Sequence, residues 1–239
     1  MSSATRATDW RVATVAAIAP ETPRAATLTL DVPGWGGHRA GQHVDVRLTA
    51  EDGYRAQRSY SIASAPSAPR PVLTVEELMD GEVSPWMVGV AREGDQFELR
   101  GPFGGWFVWD ADETVPLMLI AGGSGIVPLM SILRHRRDAG SDVPARLLLS
   151  VREPDDVYYA RELETLGAEV VVTYTRRAPR GWAGHARRVD RALLQETVLS
   201  GGRTYVCGPT PFVEVVAELL VSLGVPPETV RTERFGGTR

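Results

Sequence analysis

Val115-Pro116-Leu117-Met118-Leu119-Ile120-Ala121-Gly122-Gly123-Ser124-Gly125-Ile126-Val127-Pro128 is the stretch on which the reading of this 239-residue chain turns. Residues 115–121 are apolar at consecutive positions, the mark of a strand buried on both faces as in a parallel sheet. A glycine-rich turn follows at once, then an amphipathic run over residues 126–139. A strand, a tight glycine turn and a helix in succession are the setting in which backbone N–H groups at a helix N-terminus cradle a diphosphate. The turn departs from the Gly-x-Gly-x-x-Gly fingerprint, and arginine rather than an acidic residue stands after the next apolar run.

Downstream the same rhythm continues. Residues 146–151, 169–174, 203–207 and 229–235 read as further parallel strands, with helices expected over 158–166, 190–199 and 211–223; the sum is a doubly wound α/β domain. Arg152, and Arg176 with Arg177, follow the second and third strands on the edge where such sheets bind ligands. Arginines there favour a ribose 2′-phosphate, hence NADPH over NADH, unless they belong to a solvated charged loop. Tyr205-Val206-Cys207-Gly208-Pro209-Thr210-Pro211 is a second strand, tight turn and helix start; a lone buried thiol there is ordinarily an inert small hydrophobe.

Upstream of about Asp110 the pattern is different. Short alternating runs at 10–19, 25–32, 43–49, 58–63, 72–78 and 96–100, separated by Pro and Gly clusters, predict six strands in a small barrel or sandwich. A short helix over 84–91 is expected, with Ser84 as N-cap and Pro85 at the first helical position. The domain boundary is placed at 110–111, giving domains 1–110 and 111–239. Alternation along 58–63 sends Arg58, Tyr60 and Ile62 to one face and Ser59, Ser61 and Ala63 to the other. An arginine beside an aromatic suits a ligand with both a phosphate and a flat ring, although an arginine lying over a tyrosine on a half-buried strand has the same signature. The Gly81-Glu82-Val83-Ser84-Pro85 turn is either an anion site or an ordinary capped helix, and Gly101-Pro102-Phe103-Gly104-Gly105 either a close-approach turn or a plain hairpin loop.

Composition closes several chemistries. All 26 basic residues are arginine, so a lysine Schiff base and a P-loop lysine are excluded. The one cysteine cannot form an internal disulfide, a redox pair or an iron-sulfur cage. The four histidines are scattered, and no metal site is expected. A net charge of -4 argues against general nucleic-acid binding. No membrane span is expected, and Met1 to Trp10 lack the features of a secretory signal, so the expected location is cytoplasmic.

Taken in order, Arg58-Ser59-Tyr60-Ser61, the Gly81 to Ser84 turn, Gly101-Pro102-Phe103-Gly104, Gly122-Gly123-Ser124-Gly125-Ile126, Cys207-Gly208-Pro209 and Glu233-Arg234-Phe235 resemble the ferredoxin-NADP reductase superfamily, across nearly the whole chain. The resemblance implies a six-stranded antiparallel flavin-binding barrel followed by a nicotinamide-nucleotide domain. It implies that Arg58 holds the flavin phosphates, that Tyr60 packs on the isoalloxazine and that Ser61 donates to flavin N5. Ser59, Thr74, Val75 and Glu76 join the cofactor contacts. Gly81, Val83 and Ser84 bind a diphosphate, favouring FAD over FMN. Gly123, Ser124 and Gly125 hold the NADP diphosphate, and Cys207, Gly208 and Pro209 border the nicotinamide. Glu233 tunes or relays protons, and Phe235 covers the ring.

Two departures stand out: Gly184-His185-Ala186-Arg187-Arg188 lacks the second glycine found before the arginine in relatives, so no role passes to Arg188, and four residues follow Phe235. The implied function is a flavoprotein reductase that moves a hydride from NADPH to FAD, then single electrons to a separate ferredoxin, flavodoxin or oxidoreductase partner, since one cysteine cannot hold an iron-sulfur cluster. The alternatives are a free-flavin reductase and a non-catalytic flavin relay subunit.

Overall fold

The computed structural model describes residues 7–236. The expectations for the first six residues of the N-terminal stretch and for the tail beyond Gly236 lie outside the described residues.

The first half is a barrel. β1 (Arg11–Thr22), β2 (Ala25–Asp31), β3 (His43–Thr49), β4 (Arg55–Ser61), β5 (Val72–Glu76) and β6 (Gln96–Phe103) form one antiparallel sheet in the order β4-β3-β6-β1-β2-β5. Its two edges touch just past the end of β4, where Ile62 bridges Leu73 and the Ala63 N–H donates to the Val72 carbonyl at 2.8 Å. Alternation sends Val15, Leu28, Val44, Val46, Val75 and Leu99 inward. β4 starts three residues earlier than expected because β3 runs to Thr49, which pairs with Arg55. The short helix is a single π turn, Trp86–Val90, capped at Pro85. Ser84 is not its cap: the Ser84 hydroxyl accepts from the Leu78 N–H at 3.0 Å and so closes the preceding turn instead.

The second half is a parallel sheet of β7 (Leu117–Gly122), β8 (Ala145–Val151), β9 (Glu169–Tyr174), β10 (Arg203–Pro209) and β11 (Val230–Phe235) in the order β11-β10-β7-β8-β9. Every residue of β7 is buried, as its unbroken apolar run requires. α1 (Ile126–Asp138) packs on one face in a core shared with Ala63, Phe107 and Trp109, while α3 (Arg191–Thr197) and α4 (Thr210–Ser222) cover the other. The Asp190 carboxylate caps α3 by accepting from the Leu193 N–H at 2.8 Å. Strand order reverses between β7 and β10, which opens a crevice at their C-terminal ends.

The helix expected over 158–166 is only one turn, α2 (Ala160–Leu163). Tyr158 and Tyr159 are buried, and Tyr159 takes a left-handed φ of 57° that a helix cannot contain. It does so to reach the barrel: its hydroxyl donates to Thr74 Oγ1 at 2.5 Å and its N–H to Glu21 Oε1 at 2.6 Å. Beside it, Arg134 of α1 donates to the Ala63 carbonyl at 2.7 Å and grips Glu162 through two bonds of 2.9 and 2.5 Å. The halves are thus joined by a bonded seam rather than a slack linker. Among the described residues no helix is long and apolar enough to cross a membrane.

Candidate functional site

At the barrel edge, β4 and the 81–84 turn come together. Arg58 donates to its neighbour's Gln57 carbonyl at 2.6 Å and lies 3.4 Å from Glu82 Oε2, while the Tyr54 hydroxyl donates to Glu82 Oε1 at 2.7 Å. Glu82 therefore ties the strand to the turn. The turn is tight at its glycine: a Cβ at Gly81 would lie 2.9 Å from Ser84 Oγ and 3.0 Å from the Leu78 carbonyl. Tyr60 is partly buried against the barrel core, and burial pushes its phenol pKa up.

Four expected cofactor residues turn their side chains elsewhere. The Ser59 hydroxyl donates to Asp45 Oδ1 at 2.6 Å, Thr74 is engaged by Tyr159 and by Thr27 at 2.9 Å, and Val75 and Val83 are fully buried in the barrel core. At Thr74, Val75 and Val83 the side chains are buried and the main chain is what is offered, whereas Ser59 stays exposed on its strand. Glu76, by contrast, reaches the wall of the cavity described below.

Between the halves, Ser61 stands opposite His43 in the β3–β4 register and Cys207 opposite Glu233 in the β10–β11 register. His43 Nδ1 lies 3.6 Å from Glu233 Oε1, which joins the two pairs. Burial raises the Glu233 pKa to about 7, and its Oε2 is buried without a partner. Burial lowers the His43 pKa, so near neutrality the contact is a neutral imidazole beside a carboxyl group rather than an ion pair. The Cys207 thiol is pushed up, first by burial and then by the Glu233 charge, so it is protonated and unreactive at neutral pH. His43 carries no motif; only the register opposite Ser61 reveals it.

The crevice at the sheet's switch point is a cavity of about 390 Å³. Gly123, Ser124, Arg152, Arg188, Pro209 and Phe235 are on its wall. Gly123 has φ +55° and open space above it, while Gly125 lies underneath, where a Cβ would be driven into the Cys207 carbonyl and to 2.8 Å from the Gly208 nitrogen. Gly125, Cys207 and Gly208 therefore build the floor that lets β7 and β10 approach, and do not face the cavity.

The arginines are redistributed. Arg152 is on the wall as expected, but Arg176 and Arg177 are not. Their N–H groups donate to the Arg152 carbonyl at 3.0 and 3.1 Å, which turns the chain away, and the Arg177 guanidinium is held by Glu153 at 2.6 Å and Asp155 at 3.7 Å. Arg188 takes the vacated place. Trp182 packs edge-on against Tyr174 at 5.1 Å and donates to the His185 carbonyl at 3.0 Å, bringing residues 185–188 back beside β9. Neither Arg152 nor Arg188 has a carboxylate partner among the described residues.

Residues 14–108 match the family described as oxidoreductase FAD-binding domain, and residues 119–218 the oxidoreductase NAD-binding domain. The glycine betaine monooxygenase reductase subunit of Chromohalobacter salexigens is 33% identical over 210 residues, 84% of this chain and 56% of that protein. The reductase component of propane 2-monooxygenase from Mycolicibacterium goodii is 27% identical over 234 residues, 92% of this chain and 66% of that one. The chain thus spans between half and two thirds of these relatives' length. The FAD/NAD-binding domain of nitric oxide dioxygenase from Vibrio cholerae superposes with a TM-score of 0.84 at 24% identity, covering 95% of this chain and 99% of that one. A ferredoxin NADP+ reductase from Neisseria gonorrhoeae gives 0.82 at 22% identity, covering 94% and 98%.

Proposed function

We infer the function from one premise: the chain belongs to the ferredoxin-NADP reductase superfamily, with an FAD-binding oxidoreductase domain followed by an NAD-binding one. The reading that follows is a reductase that takes a hydride from NADPH and passes single electrons to a separate acceptor in the cytoplasm. FAD, when bound, supplies the capacity to accept two electrons together and release them one at a time. The residues present fit it: the barrel offers a turn that a Cβ would crowd and a half-exposed guanidinium, and Glu233 of the α/β half brings a buried carboxyl oxygen that lacks a partner.

In this reading domain 1–110 holds FAD and domain 111–239 holds NADPH. Arg58 and the N–H groups of the 81–84 turn would take the FAD phosphates, and Tyr60 its ring. Gly123 and Ser124 would cradle the NADPH diphosphate, and Phe235 and Pro209 would confine the nicotinamide end. Ser61, His43 and Glu233 lie where a proton must be held or moved, and a carboxyl titrating at about 7 suits that task. Cys207 would shape the floor of the site without taking part in covalent chemistry.

The observation that carries NADPH over NADH is the pairing of charges at the cavity. Arg152 and Arg188 stand on its wall without carboxylates, while Glu153, the nearest acid in sequence, is neutralised by Arg177. A 2′-phosphate therefore meets unspent guanidinium donors. The relatives' names, reductase parts of oxygenase systems, support a separate redox protein as acceptor: a ferredoxin, a flavodoxin or an oxygenase component. The test is to add NADPH and NADH separately to the FAD-loaded protein without oxygen and follow the flavin absorbance. Bleaching at least about tenfold faster with NADPH is expected. Bleaching by neither nucleotide would overturn the reductase reading, and faster bleaching by NADH the arginine argument.

A further inference from the structure

We propose that Arg24, carried by the barrel, binds the diphosphate of the nicotinamide dinucleotide and that Asp156 holds it in place; the inference rests on the reading of the cavity as the NADPH site. Arg24 is on the β1–β2 hairpin, where its N–H donates to Thr22 Oγ1 at 3.3 Å. Its side chain crosses to the α/β half and donates through Nη2 to Asp156 Oδ1 at 2.9 Å, in the turn that follows β8. Arg24 and Asp156 line the same cavity as Gly123 and Ser124.

The pair is incomplete in a way that a purely structural ion pair would not be. Arg134–Glu162, across the same seam, provides the internal standard: two parallel bonds, a third to the Ala63 carbonyl, and both side chains largely covered. Arg24 spends one of its five N–H donors on a carboxylate and leaves its side chain 49% exposed at the cavity. Asp156 is only 19% exposed, and its Oδ2 is buried with no partner. A carboxylate kept in that position orients the guanidinium while leaving most of its donors for a ligand.

Charge points the same way. Glu76 of the barrel also lines this wall, so without Arg24 it and Asp156 would present two uncompensated carboxylates to an incoming diphosphate at this side of the cavity. The N–H groups of the Gly123–Gly125 turn offer only partial positive charge from the other half. A guanidinium from the barrel offsets one of these two acids and supplies charge-assisted donors, so that one diphosphate is held from both halves at once.

The test is calorimetric titration of the FAD-loaded full chain with NADP+ and, separately, with 2′-AMP, which has the 2′-phosphate and adenosine but no diphosphate. Arg24→Gln is expected to weaken NADP+ binding by about tenfold to a hundredfold, the cost of a lost charged hydrogen bond, while 2′-AMP affinity stays as in the parent. Arg24→Lys should recover part of the loss, and Asp156→Asn should weaken NADP+ by about threefold through a loosened guanidinium. An unchanged flavin spectrum and melting midpoint in Arg24→Gln would show that the fold is intact. NADP+ bound equally by parent and Arg24→Gln, or an equal loss for both ligands, overturns the Arg24 proposal alone. Tighter NADP+ binding in Asp156→Asn overturns the holding role. A parent that binds neither ligand overturns the cavity reading, and this proposal with it.

Discussion

The two candidate binding edges of the molecule use the same three ingredients, a glycine turn, an arginine and a carboxylate, and couple them differently. At the barrel edge Glu82 belongs to the glycine turn and holds Arg58 directly, with all groups near the surface. At the α/β edge Glu153 is drawn off by Arg177, leaving Arg152 free, while the buried carboxyl of Glu233 faces a neutral imidazole and no cation. An arginine next to an acid in sequence thus says little about ligand binding; which neighbour claims the guanidinium in space decides it. Each ingredient gives a way to break the contrast.

The largest effect is expected at the glycines. Gly125 lies against backbone, the Cys207 carbonyl and the Gly208 nitrogen, which cannot swing aside; Gly81 lies against Ser84 Oγ, the end of a side chain, as well as the Leu78 carbonyl. Gly125→Ala should cost about 4 kcal/mol, at the upper end for a single substitution. Gly81→Ala should cost about 1–2 kcal/mol, the usual range for a crowded side chain. Urea denaturation of the two variants checks this, and equal losses would erase the distinction between a structural floor and a ligand-facing turn.

The carboxylates come next. Burial holds Glu233 at about 7, above the ordinary 4.5, so between those values the native protein keeps a proton that the unfolded chain has released. Stability therefore falls as pH rises through that window. Glu233→Gln removes the effect: it should match the parent below pH 4.5 and exceed it above pH 7, by up to about 3 kcal/mol. Denaturation of the parent and Glu233→Gln at pH 4 and pH 8 checks this, and a gap that does not change with pH would refute the buried-carboxyl account.

The sequence made the architecture legible where a pattern is local. The unbroken apolar run of residues 115–121 announced a strand buried on both faces, observed over Leu117–Gly122, and period-2 alternation announced the barrel. It failed where a distant residue decides. Tyr159 leaves the helical pattern to reach Thr74, 85 positions away, so the expected helix shrinks to one turn. The Ser59 hydroxyl donates to Asp45, 14 positions earlier, a partner that the alternation of its own strand does not announce. Arg176 and Arg188 change places because Trp182 folds onto Tyr174, a contact that no periodicity encodes. His43 becomes visible only once seven consecutive β3–β4 pairs fix its place opposite Ser61. The barrel's Arg24 escapes notice for the same reason, since its partner Asp156 lies 132 positions away.

The arginines give the smallest effects and the sharpest contrast. Arg58 must leave Glu82 to take a phosphate, but an exposed pair of this kind is worth less than about 1 kcal/mol, so most of the charged contact survives as binding energy. Arg58→Ala should therefore weaken FAD retention by about tenfold, seen as flavin lost on dilution, and leave NADP+ affinity unchanged. Arg152 has no carboxylate to leave, so under the proposed function its contact would be spent wholly on the nucleotide, and only on one with a 2′-phosphate. Arg152→Ala should raise the KM for NADPH by about tenfold while leaving the KM for NADH and the retained flavin as they were. If Arg152→Ala weakens NADPH and NADH alike, the free guanidinium reads general negative charge and not the 2′-phosphate. If Arg58→Ala disturbs NADP+ as much as FAD, the two edges are one electrostatic site, and the separate couplings of their carboxylates carry no functional meaning.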